Sequence, residues 1–175
     1  MAIIPENKDW TWVLQRPCPE CGLDVTAATP ADVADALEAS LPRWRAFLAH
    51  PDVAVRTRDD RWSPLEYACH VRDVFRICAG RLALMRAEDD PQFPNWDQDR
   101  SAVEDRYQEQ DPATVADELD AAAAAMLADI RGVRPDELAR TGQRSDGARF
   151  TVESFLRYFL HDPMHHLWDV EQDLG

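Results

Sequence analysis

An all-α fold, an up-and-down four-helix bundle carrying an irregular amino-terminal arm, is predicted by three features of this 175-residue chain. Glycine is scarce, at 6 residues, and alanine is plentiful, a balance that favours helix. No stretch alternates apolar and polar residues for long enough to make a half-buried strand. Four segments open with a Ser, Thr or Asp that can cap free amides, three of them followed directly by proline, which suits the first helical turn.

The elements follow in chain order. Residues 1–28 form the arm, in which KDWTWVLQRPCPECGLD differs in composition from everything after it. The bundle is expected over 29–175. Its first helix begins TPADVADALEASLPRWRAFLAH, with Thr29 as cap and Pro30 in the first turn. The second begins SPLEYACHVRDVFRICAGRLALMRAE, where Ser63, Pro64 and Glu66 satisfy the capping-box spacing and give the clearest helix start in the sequence. The third begins DPATVADELDAAAAAMLADI, capped by Asp111. The fourth, TVESFLRYFLHDPMHHLWDVEQDL, starts at Thr151. The long connection DDPQFPNWDQDRSAVEDRYQEQ should carry a short helix of its own, and RTGQRSDGARF reads as a small hairpin or loop.

Composition excludes several function classes. A formal charge of -14 lacks the basic face by which a protein releases counterions from nucleic acid. No run approaches the roughly 18 apolar residues of a membrane span, and the start MAIIPENKDWTW lacks the basic and then apolar segments of a leader, so a cytoplasmic protein with no membrane partner is expected. Four cysteines, Cys18, Cys21, Cys69 and Cys78, are too few for a disulfide scaffold and should be thiols or metal ligands.

The histidines carry the chemistry. In HDPMHHLWD, residues 161–169, His161 and His165 are four apart and project from one helix face, a spacing at which two imidazoles can reach one ion. His166 is turned away by about 100°. On the second helix His70 falls on the inward stripe with Val74 and Ile77, where an unpaired imidazole loses hydration without compensation. Two bland alternatives stand beside this: a pair of partly exposed helix residues, and a core histidine satisfied by a hydrogen bond. Three histidines from two helices make a facial set that suits zinc first, with nickel or ferrous iron as alternatives, and leaves positions open for water or substrate.

The pattern RWSPLEYACH followed about ninety residues later by HDPMHH resembles the DinB-like four-helix-bundle family, which includes mycothiol-dependent maleylpyruvate isomerases and bacillithiol-dependent transferases. The resemblance covers roughly residues 30 to 174. It implies a divalent metal held by His70, His161 and His165, and a low-molecular-weight thiol as co-substrate.

Around that trio, Asp162 and Asp169 are the nearest carboxylates for orienting an imidazole, with Asp169 better phased for His165 or His166, and Glu66 lies one turn before His70. Tyr158, Trp168 and the loop around Trp96 are candidate pocket walls. Pro163 removes one helical hydrogen bond and should kink the helix inside the motif. In the arm, Cys18 and Cys21 form CPEC, readable as half a zinc knuckle, as a redox pair, or as part of a plain structural arm packed through Trp10 and Trp12. A further option brings the arm to the metal end, where a thiolate takes part.

These observations lead to a metal-dependent protein acting on a small molecule, a thiol transferase or isomerase with water or thiol at the open metal position. The rivals are a metal-dependent hydrolase, and a non-catalytic stress-response or interaction module whose metal is closed by a fourth protein ligand. A homodimer is compatible with so small a bundle.

Overall fold

The structure, a computed structural model, describes residues 9–174. The opening MAIIPENK, on which the expectation about a leader rests, lies outside the described residues.

Five helices and three short strands follow the arm: α1 (Pro30–Leu48), α2 (Pro64–Ala87), β1 (Gln92–Phe93), α3 (Gln98–Glu104), α4 (Pro112–Arg131), β2 (Thr141–Arg144), β3 (Arg149–Thr151) and α5 (Val152–Leu174). The starts read from the sequence are the starts observed. Thr29 and Ser63 each make a reciprocal capping box, with Asp32 and Glu66 respectively. Asp111 accepts from the Thr114 amide. Thr151 and Ser154 exchange side-chain to backbone hydrogen bonds at the entry to α5. Caps of this kind are worth about 1 kcal/mol each.

The four long helices bury one apolar stripe apiece. α1 packs on α4 and α5, and α2 packs on the same two, so each of the first two helices lies between the last two. The side chains that meet at the centre are large and fully enclosed: Leu37 and Trp44 from α1, Phe75 and Leu82 from α2, Met126 from α4, Phe155 and Phe159 from α5. Burial of a Leu or Phe of this kind stabilises by roughly 1.5–3 kcal/mol.

The sheet is the departure from an all-helical reading. RTGQRSDGARF folds as the antiparallel hairpin β2–β3, with Gly142 opposite Phe150. Two residues of the long connection, Gln92 and Phe93, add to β2 in parallel. A two-residue strand leaves no alternation to read. The same connection carries the expected short helix, α3.

That connection is fastened to α2 by a buried polar knot. Tyr107 donates to Asp73 at 2.6 Å, and Arg72 forks onto the same carboxylate through two 2.9 Å bonds. The arm is fastened to α5 by a 3-10 turn, Thr11–Leu14, that contacts that helix, and its Val13 and Val25 are buried in the core. Pro163 lies within α5, which continues through it to Leu174.

Candidate metal centre

HDPMHH contains two interleaved ladders of spacing four: His161 with His165, and Asp162 with His166. Successive residues on a helix point about 100° apart, so the two ladders occupy adjacent faces. α2 packs against one face and the arm covers the other. The expected trio of His70, His161 and His165 is thereby divided between two clusters.

The first cluster is His70, Asp162 and His166, each offering one donor atom within 4.8 Å of the others. His70 Nε2 lies 3.2 Å from Asp162 Oδ1, and His166 Nε2 lies 3.9 Å from the same oxygen. The other side of the His166 ring is held: Nδ1 is 3.0 Å from Asp169 Oδ2, and Arg61 donates to Asp169 at 2.6 Å. Such a carboxylate behind an imidazole fixes the tautomer that leaves Nε2 as a lone-pair donor.

His70 is fully enclosed, stacked on Trp96 at 5.2 Å and flanked by Trp62 at 5.2 Å. Burial pushes its pKa below the ordinary histidine value, which keeps the ring neutral. Its Nδ1 finds no hydrogen-bond partner among the described residues. A purely structural buried histidine would ordinarily satisfy both nitrogens. Desolvation would raise the Asp162 pKa, but the neighbouring His70 and His166 outweigh it and hold the carboxyl at about 2. Two imidazoles and a carboxylate on three corners of a site fit zinc, nickel or ferrous iron with positions left over.

The second cluster joins Cys18 and Cys21 of the arm to His161 and His165, again within 4.8 Å. Cys18 Sγ is 3.8 Å from His165 Nδ1, and Cys21 Sγ is 3.8 Å from His161 Nε2. Trp10 packs on both imidazoles at 5.1 Å. Burial lowers the pKa of His161 to about 4 and that of His165 below its usual range. Desolvation pushes the Cys21 thiol up to about 11.

Other expected site residues fall as follows. Glu66 accepts from the Ser63 amide and from Arg56, so its cap and an ion pair occupy it. Trp168 packs on His165 at 5.6 Å. Tyr158 accepts from Arg144 at 3.0 Å and lines the cavity in front of the first cluster. Cys69 and Cys78 are buried on α2, and desolvation raises both thiols to about 12.

The cavity holds about 1140 Å³ and is bounded by Asp162 and His166 of the first cluster, His161 and His165 of the second, Trp96, Tyr158, Arg81 and Arg144. Arg144 is paired with Asp146. Arg81 donates to the Pro94 carbonyl and lies over the Phe93 ring, and among the described residues no carboxylate pairs with it. Burial pulls its pKa down. Arg81 is not among the residues expected from the sequence, nor is His166 among the expected ligands; the structure brings His166 to His70 and Asp162, and the Asp162 to His166 spacing of four was the available signal for that grouping.

No curated protein sequence matches the chain. Among solved structures, YfiT from Bacillus subtilis, described as a probable metal-dependent hydrolase with an unusual four-helix bundle topology, is similar in fold. The TM-score is 0.73 at 18% identity, over 83% of this chain and 87% of that one. The family model of the DinB superfamily matches residues 50–170, which takes in α2 through most of α5 and all of the first cluster. The chain belongs to the DinB superfamily.

Proposed function

We propose that the protein is a metal-dependent enzyme that activates a small nucleophile at His70, Asp162 and His166, and that the nucleophile is a low-molecular-weight thiol transferred to, or used to isomerise, an anionic electrophile. The observation that carries this reading is the His70, Asp162 and His166 cluster, whose Asp162 and His166 line a cavity of about 1140 Å³.

His70, Asp162 and His166 would hold a divalent ion, which when bound would supply the Lewis acidity that generates a nucleophile from water or thiol near neutral pH. The protein's own residues do the rest. Asp169, braced by Arg61, orients His166. Trp62 and Trp96 keep water from His70. Arg81 offers a desolvated guanidinium to a carboxylate or phosphate of the substrate. The volume exceeds the roughly 300–1,000 Å³ of ordinary ligand pockets, which supports two reactants bound together.

Hydrolysis is the second reading, favoured by the absence of any cysteine from the first cluster and by the description of YfiT. The test is to load the protein with zinc, nickel or ferrous iron and assay mycothiol and bacillithiol with carboxylated electrophiles, beside a panel of esters and amides. Thiol-dependent turnover that disappears in His70→Ala supports the transferase or isomerase. Turnover of an ester or amide without thiol moves the assignment to a hydrolase. Metal binding without turnover in either assay leaves the non-catalytic module.

A further inference from the structure

We propose that Cys18, Cys21, His161 and His165 form a second, closed zinc site that joins the amino-terminal arm to α5 and is separate from the open cluster of His70, Asp162 and His166. This holds whatever reaction the open cluster performs.

The donor set is the first support. Two cysteines and two histidines are a complete tetrahedral zinc complement, and closed four-ligand sites are the structural kind. Zn–S bonds of about 2.3 Å and Zn–N bonds of about 2.0 Å give a tetrahedron with edges of roughly 3.3–3.8 Å. Cys18 to His165 and Cys21 to His161 are each 3.8 Å, and all four donors lie within 4.8 Å. Little contraction is needed to close the site.

The backbone is the second. CPECG forms a tight knuckle in which the Gly22 amide donates to the Cys18 carbonyl at 2.9 Å and the Cys18 amide to the Leu23 carbonyl at 2.9 Å. Gly22 sits at φ +75, where a side chain would be strained. The turn brings both sulfurs to one side, and the Leu23 amide hydrogen-bonds the Cys21 sulfur. Such an N–H to sulfur bond holds a ligand sulfur in its orientation.

Enclosure is the third. Cys18 is 2% exposed, His161 4% and His165 6%, with Trp10 packed over both rings, while Cys21 is partly exposed. An imidazole nitrogen faces each sulfur, which is the arrangement of a ligand set. Glu20, between the two cysteines, brings a carboxylate oxygen to 3.6 Å from His165 Nε2, the ring atom left over if Nδ1 binds the metal.

The experiment is cobalt titration of the reduced, metal-free full chain, read by absorption, beside His70→Ala and the double variant Cys18→Ser/Cys21→Ser. Expected for the wild type are two equivalents of cobalt, one of which shows thiolate-to-cobalt charge transfer and the intense ligand-field bands of a tetrahedral site. His70→Ala should keep that species and lose the other equivalent. The double variant should lose the charge-transfer species, and with it one equivalent of zinc in elemental analysis of protein grown with zinc.

A wild-type titration in which Cys18 and Cys21 stay reactive to thiol reagent and no charge-transfer band forms overturns the site, as does a band that survives in the double variant, since that would place it on Cys69 or Cys78. Wild-type protein isolated with a Cys18–Cys21 disulfide that re-forms in the presence of excess zinc overturns it in favour of a redox pair. The wild-type spectrum alone decides the matter if the double variant does not fold.

Discussion

His165 and His166 are adjacent in sequence yet serve different clusters: their rings stand 5.8 Å apart at an interplanar angle of 78°. One faces the cysteines of the arm, the other Asp162 and His70. Asp169 lies behind both, 3.0 Å from His166 and 3.8 Å from His165. Substitutions at neighbouring positions should therefore have separable effects.

Asp169→Asn keeps the shape of the side chain but removes the charge that fixes the His166 tautomer. Loss of such a supporting carboxylate weakens metal affinity by about 10–100-fold. Competition with a fluorescent chelator should show the first cluster's affinity falling by that factor. Unchanged affinity would mean that Asp169 serves only Arg61.

Arg81→Ala should raise KM for a carboxylated substrate by about 10–100-fold with a smaller change in kcat, because a hydrogen bond to a charged group contributes roughly 1.5–3 kcal/mol. Steady-state kinetics with the acid and its methyl ester check this. The ester should be insensitive to the substitution, and an equal effect on both would remove Arg81 from substrate binding.

Acid should weaken the knot that ties the connection to α2. Desolvation would raise the pKa of Asp73, but hydrogen bonds from Arg72 and Tyr107 outweigh it and leave the folded value depressed. A depressed carboxyl contributes stability that is complete above its unfolded value of about 3.9 and is lost as pH falls through the folded value. Denaturant melts should show stability dropping below about pH 4. Asp73→Asn should lower stability near neutral pH by on the order of 3 kcal/mol and flatten that acid slope.

Gly142→Ala tests the packing of β2 on α2. A Cβ there would stand 2.7 Å from Met85 Cγ and 3.0 Å from Phe93 Cε1, both in fully enclosed side chains. Overpacking of this sort costs roughly 1–3 kcal/mol, to be read from the shift in denaturation midpoint.

Helix starts were legible because caps and prolines act locally: Thr29, Ser63, Asp111 and Thr151 each announce an element that the structure contains. The bundle and the family followed from them. The hairpin was visible only as turn chemistry around Ser145 and Gly147, and β1 was not visible, since pairing across some fifty residues has no local signature. At the site, the residue types were legible and their grouping was not. Spacing of four fits His161 with His165 and Asp162 with His166 equally, and which pair meets His70 depends on how α5 is turned against α2. Cys18 and Cys21 looked like half of a site, and the histidines they meet lie about 140 residues away.

The two ladders leave α5 no rotational play. Turning the helix about its axis to bring Asp162 and His166 nearer His70 would swing His161 and His165 away from the cysteines, and the reverse turn would open the first cluster. The arm, which also lends Val13 and Val25 to the core, thus acts as a torsion stop that indexes the face of the helix carrying Asp162 and His166.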